Sequence, residues 1–204
     1  MFYWLLKYIF LGPFIRLFLI KKVDGLENIP KKGPVIIAVN HSSYLDFFSL
    51  AAVIPRRIYF IAAEKFFESK LWFPLMLLTR QTKVDRNGED KNETIKKINE
   101  ILHDGKVFCI FPEGTRSRDG KIQRAYTGVI KIGKTNKTAI VPIAIKGAYE
   151  LLPPQNKLIK VKKKIEIRIL KPIKYNDFAE KKNEDATQSL MQVISAEIGQ
   201  KYKW

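Results

Sequence analysis

One cysteine, two histidines and no uninterrupted apolar run of membrane-spanning length set the first limits on this 204-residue chain. Cys109 has no partner for a disulfide, and its place in Val107-Phe108-Cys109-Ile110-Phe111 marks it as a buried structural thiol in a protein of a reducing compartment. His41 and His103 are too few to build a zinc cluster. A spanning helix needs about 20 mainly apolar residues. The richest stretch, Phe2 to Ile20, is cut by Lys7, Gly12-Pro13 and Arg16. No basic region precedes it and no small-x-small site follows it, so it does not read as a signal peptide. Internal repeats are also absent. The length fits a single domain able to bury a core without staples.

Acidic residues are the minority: 20 Asp+Glu face 37 Lys+Arg, a formal charge of +17. The partner is therefore expected to be anionic, and charge alone admits both nucleic acid and an anionic membrane surface. Phe2 to Ile20 favours the membrane. Its dense aromatics, split in two by Gly12-Pro13, predict a monotopic two-helix hairpin in the interface, with Trp and Tyr at headgroup level and Lys7 and Arg16 snorkelling to lipid phosphates. The alternative is that both pieces pack on the domain as core. The expected division is a membrane-associating segment over 1–22 and a folded domain over 23–204. Lys162-Lys163-Lys164 reads as a solvated edge.

Hydrophobic patterning then gives the layer order. Val35 to Val39, Ile58 to Ala62, Lys106 to Phe111 and Ala139 to Ile145 are short, continuous apolar runs, the pattern of strands buried on both faces. Ile165, Ile167 and Ile169 alternate with polar residues, which predicts a half-buried edge strand. Helical spacing marks Asp90 to His103, with His103 a simple last-turn residue, and also Ala125 to Lys134 and Asp177 to Tyr202. Phe66 to Leu78 is apolar around Pro74, either a groove wall or a core helix. The order predicts an α/β fold: a single domain with a mixed central sheet flanked by helices, preceded by the N-terminal hairpin.

Polar clusters sit where these strands end. Asn40-His41 closes the first strand, and ligands in open α/β sheets bind beyond strand carboxyl ends. On one unbroken helix His41 and Asp46 would diverge by roughly 140°. If the helix starts near Ser43, His41 stays on the incoming turn and the Asp46 carboxylate can reach back to orient its ring, the arrangement of a general base acting on a hydroxyl. Ser43-Tyr44-Leu45-Asp46 also fits a capping box, in which Asp46 only satisfies backbone N–H groups. Asp85-Arg86 and the run Pro112 to Gly120 form the other clusters. Arg86 and Arg116 suit bidentate phosphate recognition, and Gly114 lets backbone N–H groups approach an anion.

With these residues in view, the chain resembles the glycerolipid acyltransferase family typified by 1-acylglycerol-3-phosphate acyltransferase. The family's Asn-His-x4-Asp motif matches Asn40, His41 and Asp46, its Phe-Pro-Glu-Gly-Thr-Arg-Ser motif matches Phe111 to Ser117 without a change, and its Val-Pro-Ile strand matches Val141-Pro142-Ile143. The second motif departs: Arg80 to Arg86 is more basic than usual and lacks the glycine. Lys65 follows the second strand, where the family often places a lysine.

The resemblance implies that His41 deprotonates the acceptor hydroxyl and Asp46 orients it, with direct attack on an acyl thioester and no covalent acyl-enzyme. It also implies that Glu113, Gly114, Thr115 and Arg116, with Arg86, bind the acceptor's phosphate. The implied reaction converts lysophosphatidate into phosphatidate at the cytoplasmic face of a membrane. No metal or cofactor is needed beyond the co-substrate, acyl-CoA or acyl-acyl carrier protein. The implied partners are the bilayer and a lysophospholipid, with no nucleic acid. Rival acceptors are glycerol 3-phosphate, another lysolipid or an acyl-amino lipid. A rival of another class is a non-catalytic binder of anionic membrane or nucleic acid.

Overall fold

The computed structural model describes residues 2–63, 82–84 and 91–204. Among these residues seven strands form one sheet: β1 (Ile20–Asp24), β2 (Val35–Val39), β3 (Ile58–Ala63), β4 (Thr82–Val84), β5 (Val107–Ile110), β6 (Ile140–Lys146) and β7 (Ile165–Ile169), in the order β1-β7-β6-β2-β5-β3-β4. The five from β6 to β4 run parallel, while β7 is antiparallel to β6 and β1 parallel to β7. The mixed α/β sheet expected from the sequence is present. Its edge is not where the pattern put it. β7 is interior, with Ile165, Ile167 and Ile169 buried, and the edge is β1, whose Lys21-Lys22 are exposed.

Alternation explains how one sheet organises two cores. Val35, Ile37 and Val39 of β2 face one core, and Ile36 and Ala38 the other. β5 sorts Val107 and Cys109 from Phe108, and β6 sorts Val141, Ile143 and Ile145 from Ile140 and Ala144 in the same way. On the first face lie the helices Tyr44–Val53 and Ala148–Leu151 with the end of the N-terminal helix; on the second lie Lys91–His103, Gly128–Thr135 and Asn183–Glu197. Cys109 is buried and unpaired, and His103 is exposed in the last turn of its helix.

The N-terminal segment corrects a second expectation. Residues 2–19 are helical throughout, with π-type turns at Leu6–Phe10 and Ile15–Leu19, so no hairpin turn forms at Gly12-Pro13. The widened turn brings the Lys7 carbonyl oxygen against Gly12, where any Cβ would collide with it; glycine is what lets the helix pass through the expected break. Ile15, Leu19 and Ile20 belong to the first core, and β1 crosses the expected boundary at residue 22. Trp4, Tyr8, Ile9, Leu17 and Phe18 face outward.

The Lys7 and Arg16 head groups turn to the protein instead, although Arg16 as a whole is exposed. Lys7 is buried and donates to the Ile54 carbonyl, and both Nε and Nη2 of Arg16 donate to the Ala52 carbonyl at 2.9 and 2.6 Å. The two cations thus satisfy carbonyls at the C-terminal end of the Tyr44–Val53 helix, where the helix dipole favours positive charge. Burial, with Arg16 nearby, lowers the Lys7 pKa to about 8. Among the described residues no helix is long and apolar enough to cross a membrane.

Candidate active site

The parallel neighbours β2 and β5 end side by side, with Ala38 opposite Ile110, and the two polar clusters leave the sheet together. Asn40 secures the first exit. Its amide donates to the Ile145 carbonyl at 2.9 Å and accepts the Ile145 N–H at 2.8 Å, continuing the β2–β6 ladder with a side chain where the backbone has turned away. His41 can therefore leave the sheet at a fixed point. Ser43, in extended conformation, caps the helix that starts at Tyr44.

Asp46 makes the contacts that both readings of it require. Its Oδ2 accepts the N–H groups of Ser42 at 2.7 Å and Ser43 at 2.8 Å, and lies 3.0 Å from His41 Nδ1. One oxygen closes the capping box and holds the imidazole. A carboxylate oxygen that accepts two backbone N–H groups can also accept from Nδ1, a contact that favours the tautomer with the proton on Nδ1. Asp46 is fully buried, and the His41 ring stacks on Phe111 at 3.9 Å. Ser43 Oγ accepts the Leu45 N–H and donates to the Leu152 carbonyl.

The second exit braces the first. Glu113 Oε1 accepts the backbone N–H of His41 at 2.7 Å, and its Oε2 accepts that of Gln123 at 2.7 Å. Ser117 N–H donates to the His41 carbonyl at 2.8 Å. Glu113, expected to bind the acceptor phosphate, is buried, and its oxygens tie two loops together. Burial raises its pKa to about 7 against the lowering effect of those two N–H groups, and the nearby Asp46 charge raises it further.

Gly114, at φ +69°, and Thr115 stand exposed beside this brace. The Arg116 guanidinium lies 3.6 Å from the Tyr44 ring centroid, over the first turn of the Tyr44–Val53 helix, and its buried Nη1 has no partner among the described residues. It is the described cation most suited to meet an anion here. Arg86 lies outside the described residues, two positions beyond β4, as do Lys65 and the stretch Phe66 to Leu78.

Some site residues were not anticipated. Gln200 accepts the Ile122 N–H at 2.7 Å and donates to the Gly120 carbonyl at 3.0 Å, and Tyr202 Oη accepts the Ala125 N–H at 2.9 Å. Segment 199–204 thereby clamps the loop that carries Gln123. No spacing in the sequence marks these residues, since their partners lie 77 to 80 positions away. Among the described residues no three His, Cys, Asp or Glu side chains converge as a metal site would need.

Comparison with known proteins places this geometry. A 1-acyl-sn-glycerol-3-phosphate acyltransferase of Bacillus subtilis is 27% identical over 179 residues, 87% of this chain and 85% of that protein. A protein of the same name from Saccharomyces cerevisiae is 30% identical over 188 residues, covering 84% of this chain and 60% of its own length. The chain thus spans most of the first and less than two thirds of the second. The crystal structure of the 1-acyl-sn-glycerophosphate (LPA) acyltransferase PlsC from Thermotoga maritima superposes with a TM-score of 0.78 at 25% identity, covering 93% of this chain and 76% of that one. The sequence profile of the acyltransferase family matches residues 21–146, which hold both polar clusters, and the chain belongs to that family.

Proposed function

We propose that this acyltransferase moves an acyl chain from an acyl thioester, carried by coenzyme A or acyl carrier protein, to the free hydroxyl of 1-acylglycerol 3-phosphate, giving phosphatidate. The observation that carries the chemistry is the 3.0 Å contact of His41 Nδ1 with the buried Asp46 carboxylate, which leaves Nε2 free to act as a base. Nε2 takes the hydroxyl proton as the oxygen attacks the thioester carbonyl carbon. The tetrahedral adduct collapses, the C–S bond breaks, and the thiolate leaves with the proton returned from the imidazolium. Asp46 stabilises that imidazolium. No residue becomes acylated.

Arg116, with the backbone at Gly114 and Thr115, receives the acceptor's phosphomonoester, and Arg86 is a further candidate cation. The names of the relatives support lysophosphatidate as the acceptor. The outward apolar face of helix 2–19 supports attachment to one leaflet of a membrane, which we take to be the cytoplasmic one. The deciding experiment offers the full chain one acyl thioester and a panel of lysophosphatidate, glycerol 3-phosphate, other lysolipids and acyl-amino lipids, with products read by mass spectrometry. Lysophosphatidate should be the preferred acceptor, and His41→Ala should abolish most turnover. A preference for an acceptor lacking a phosphomonoester would leave acyl transfer standing and remove lysophosphatidate.

A further inference from the structure

Between Glu150 and Glu166 the chain has no acidic residue, and its 155–164 stretch is exposed throughout. Three large apolar side chains are turned to water there: Leu158 is 84% exposed, Val161 59% and Ile159 43%. Lysines 157, 160, 162, 163 and 164 are interleaved with them. Of these, Lys164 lies 3.9 Å from Glu150, and no acidic partner faces the other four among the described residues. Singly exposed apolar residues are ordinary on a protein surface. Three on one loop, each flanked by cations, are the composition that enters the headgroup layer of an anionic bilayer.

The loop is anchored where such a contact would serve the site. Its root, Leu151-Leu152, is buried in the first core, and the Leu152 carbonyl accepts the hydroxyl of Ser43, the cap of the Tyr44–Val53 helix and two residues from His41. The Lys160 N–H donates to the Leu151 carbonyl, and the Lys164 N–H to the carbonyl of Leu19, the last residue of the N-terminal helix. One end thus touches the helix with the outward aromatic face and the other the start of the active site.

We propose that the 155–164 loop is a second membrane-docking element, in which Leu158, Ile159 and Val161 insert among the headgroups of an anionic bilayer while Lys157, Lys160, Lys162 and Lys163 pair with lipid phosphates. The inference rests on the reading of this chain as an enzyme of membrane lipids and adds a contact separate from helix 2–19. Its consequence is that acceptor lipid is drawn from the patch of leaflet beside Ser43.

The test uses the full chain and two variants, Leu158→Ser/Val161→Ser and Lys157→Gln/Lys160→Gln/Lys162→Gln/Lys163→Gln. Partition is measured on vesicles of phosphatidylcholine with and without phosphatidylglycerol. The apolar variant should bind anionic vesicles about tenfold or more weakly. The charge variant should weaken binding by about fivefold per lysine on anionic vesicles and leave phosphatidylcholine binding unchanged. Turnover of a monomeric short-chain acceptor should stay at the wild-type level in both. In a third variant, Leu158→Trp, the indole emission should shift to the blue on adding anionic vesicles. Unchanged partition together with a water-like indole overturns the proposal, and the enzyme reading survives if the monomeric acceptor still turns over. Equal losses on monomeric and vesicle-borne acceptor overturn it in favour of a structural loop. If the lysine variant loses affinity for duplex DNA and keeps it for vesicles, the surface is one for nucleic acid. Absence of turnover by the wild type on any lysolipid strikes the enzyme reading alone, with vesicle partition still deciding the loop.

Discussion

Glu113 accepts the main-chain N–H of His41 at 2.7 Å, so the residue proposed as the base is held through its backbone by a second buried carboxylate. That carboxyl has its pKa raised to about 7 from an ordinary value of 4.5. Between these values the folded chain holds a proton there that the unfolded chain has released, so stability from this group is present at low pH and declines as pH rises from about 4.5 to 7. The total is about 3 kcal/mol. In urea titrations the stability difference between wild type and Glu113→Gln should move against the wild type by that order from pH 5 to pH 8. A pH-independent difference would mean that Glu113 is ionised throughout.

Asp46 caps a helix and holds the proposed base, so Asp46→Asn should damage both stability and turnover. Turnover should fall by two orders of magnitude or more, with roughly 1–2 kcal/mol lost from stability through the cap. His41→Ala should lose two to four orders of magnitude in kcat with the melting temperature nearly unchanged. Ser43→Ala gives the complementary control, a stability loss of about 1 kcal/mol. Were Asp46→Asn to cost stability alone, the carboxylate would be a cap and no more.

The Arg116 guanidinium lies over the Tyr44 ring with one terminal nitrogen unpartnered among the described residues. A lysine can replace its charge but neither its stacking nor its planar fork. Arg116→Lys should reduce kcat/KM for lysophosphatidate by about 1.5 to 3 kcal/mol, roughly 10- to 150-fold, and leave thioester affinity intact. Steady-state kinetics varying each substrate in turn would separate the two, and a wild-type value would move the phosphate site elsewhere.

The clamp formed by Gln200 and Tyr202 should be felt in the acceptor's KM. Tyr202→Phe removes the oxygen that accepts the Ala125 N–H and loosens the loop behind Gln123 and Glu113. The expected result is a severalfold higher KM for acceptor, little change in kcat, and faster proteolysis within 118–125. Faster proteolysis without any kinetic change would confine the clamp to stability.

How much of this was legible depended on range. β2, β5 and β6 were plain because each is apolar on both faces, which no exposed segment sustains over five residues. β1, Ile-Lys-Lys-Val-Asp, was hidden because an edge strand with exposed lysines resembles a loop, and placing β7 required knowing that β1 lies outside it. Motif spacing located His41, Asp46 and Arg116, but membership in a motif does not say which way a side chain points, and Glu113 points inward. Lys7 and Arg16 misled for a related reason. In an apolar setting a cation reads as seeking lipid phosphate, whereas the partners here are helix-end carbonyls 47 and 36 residues away.

Those two cations give the Tyr44–Val53 helix the mechanics of a strut. Its far end is gripped by Lys7 and Arg16, and its near end is pinned through Asp46 to His41. Ten residues make a rod about 15 Å long, stiff along its axis and unable to turn about it with both ends held. The N-terminal helix and the His41 imidazole are thus tied to opposite ends of one rigid element.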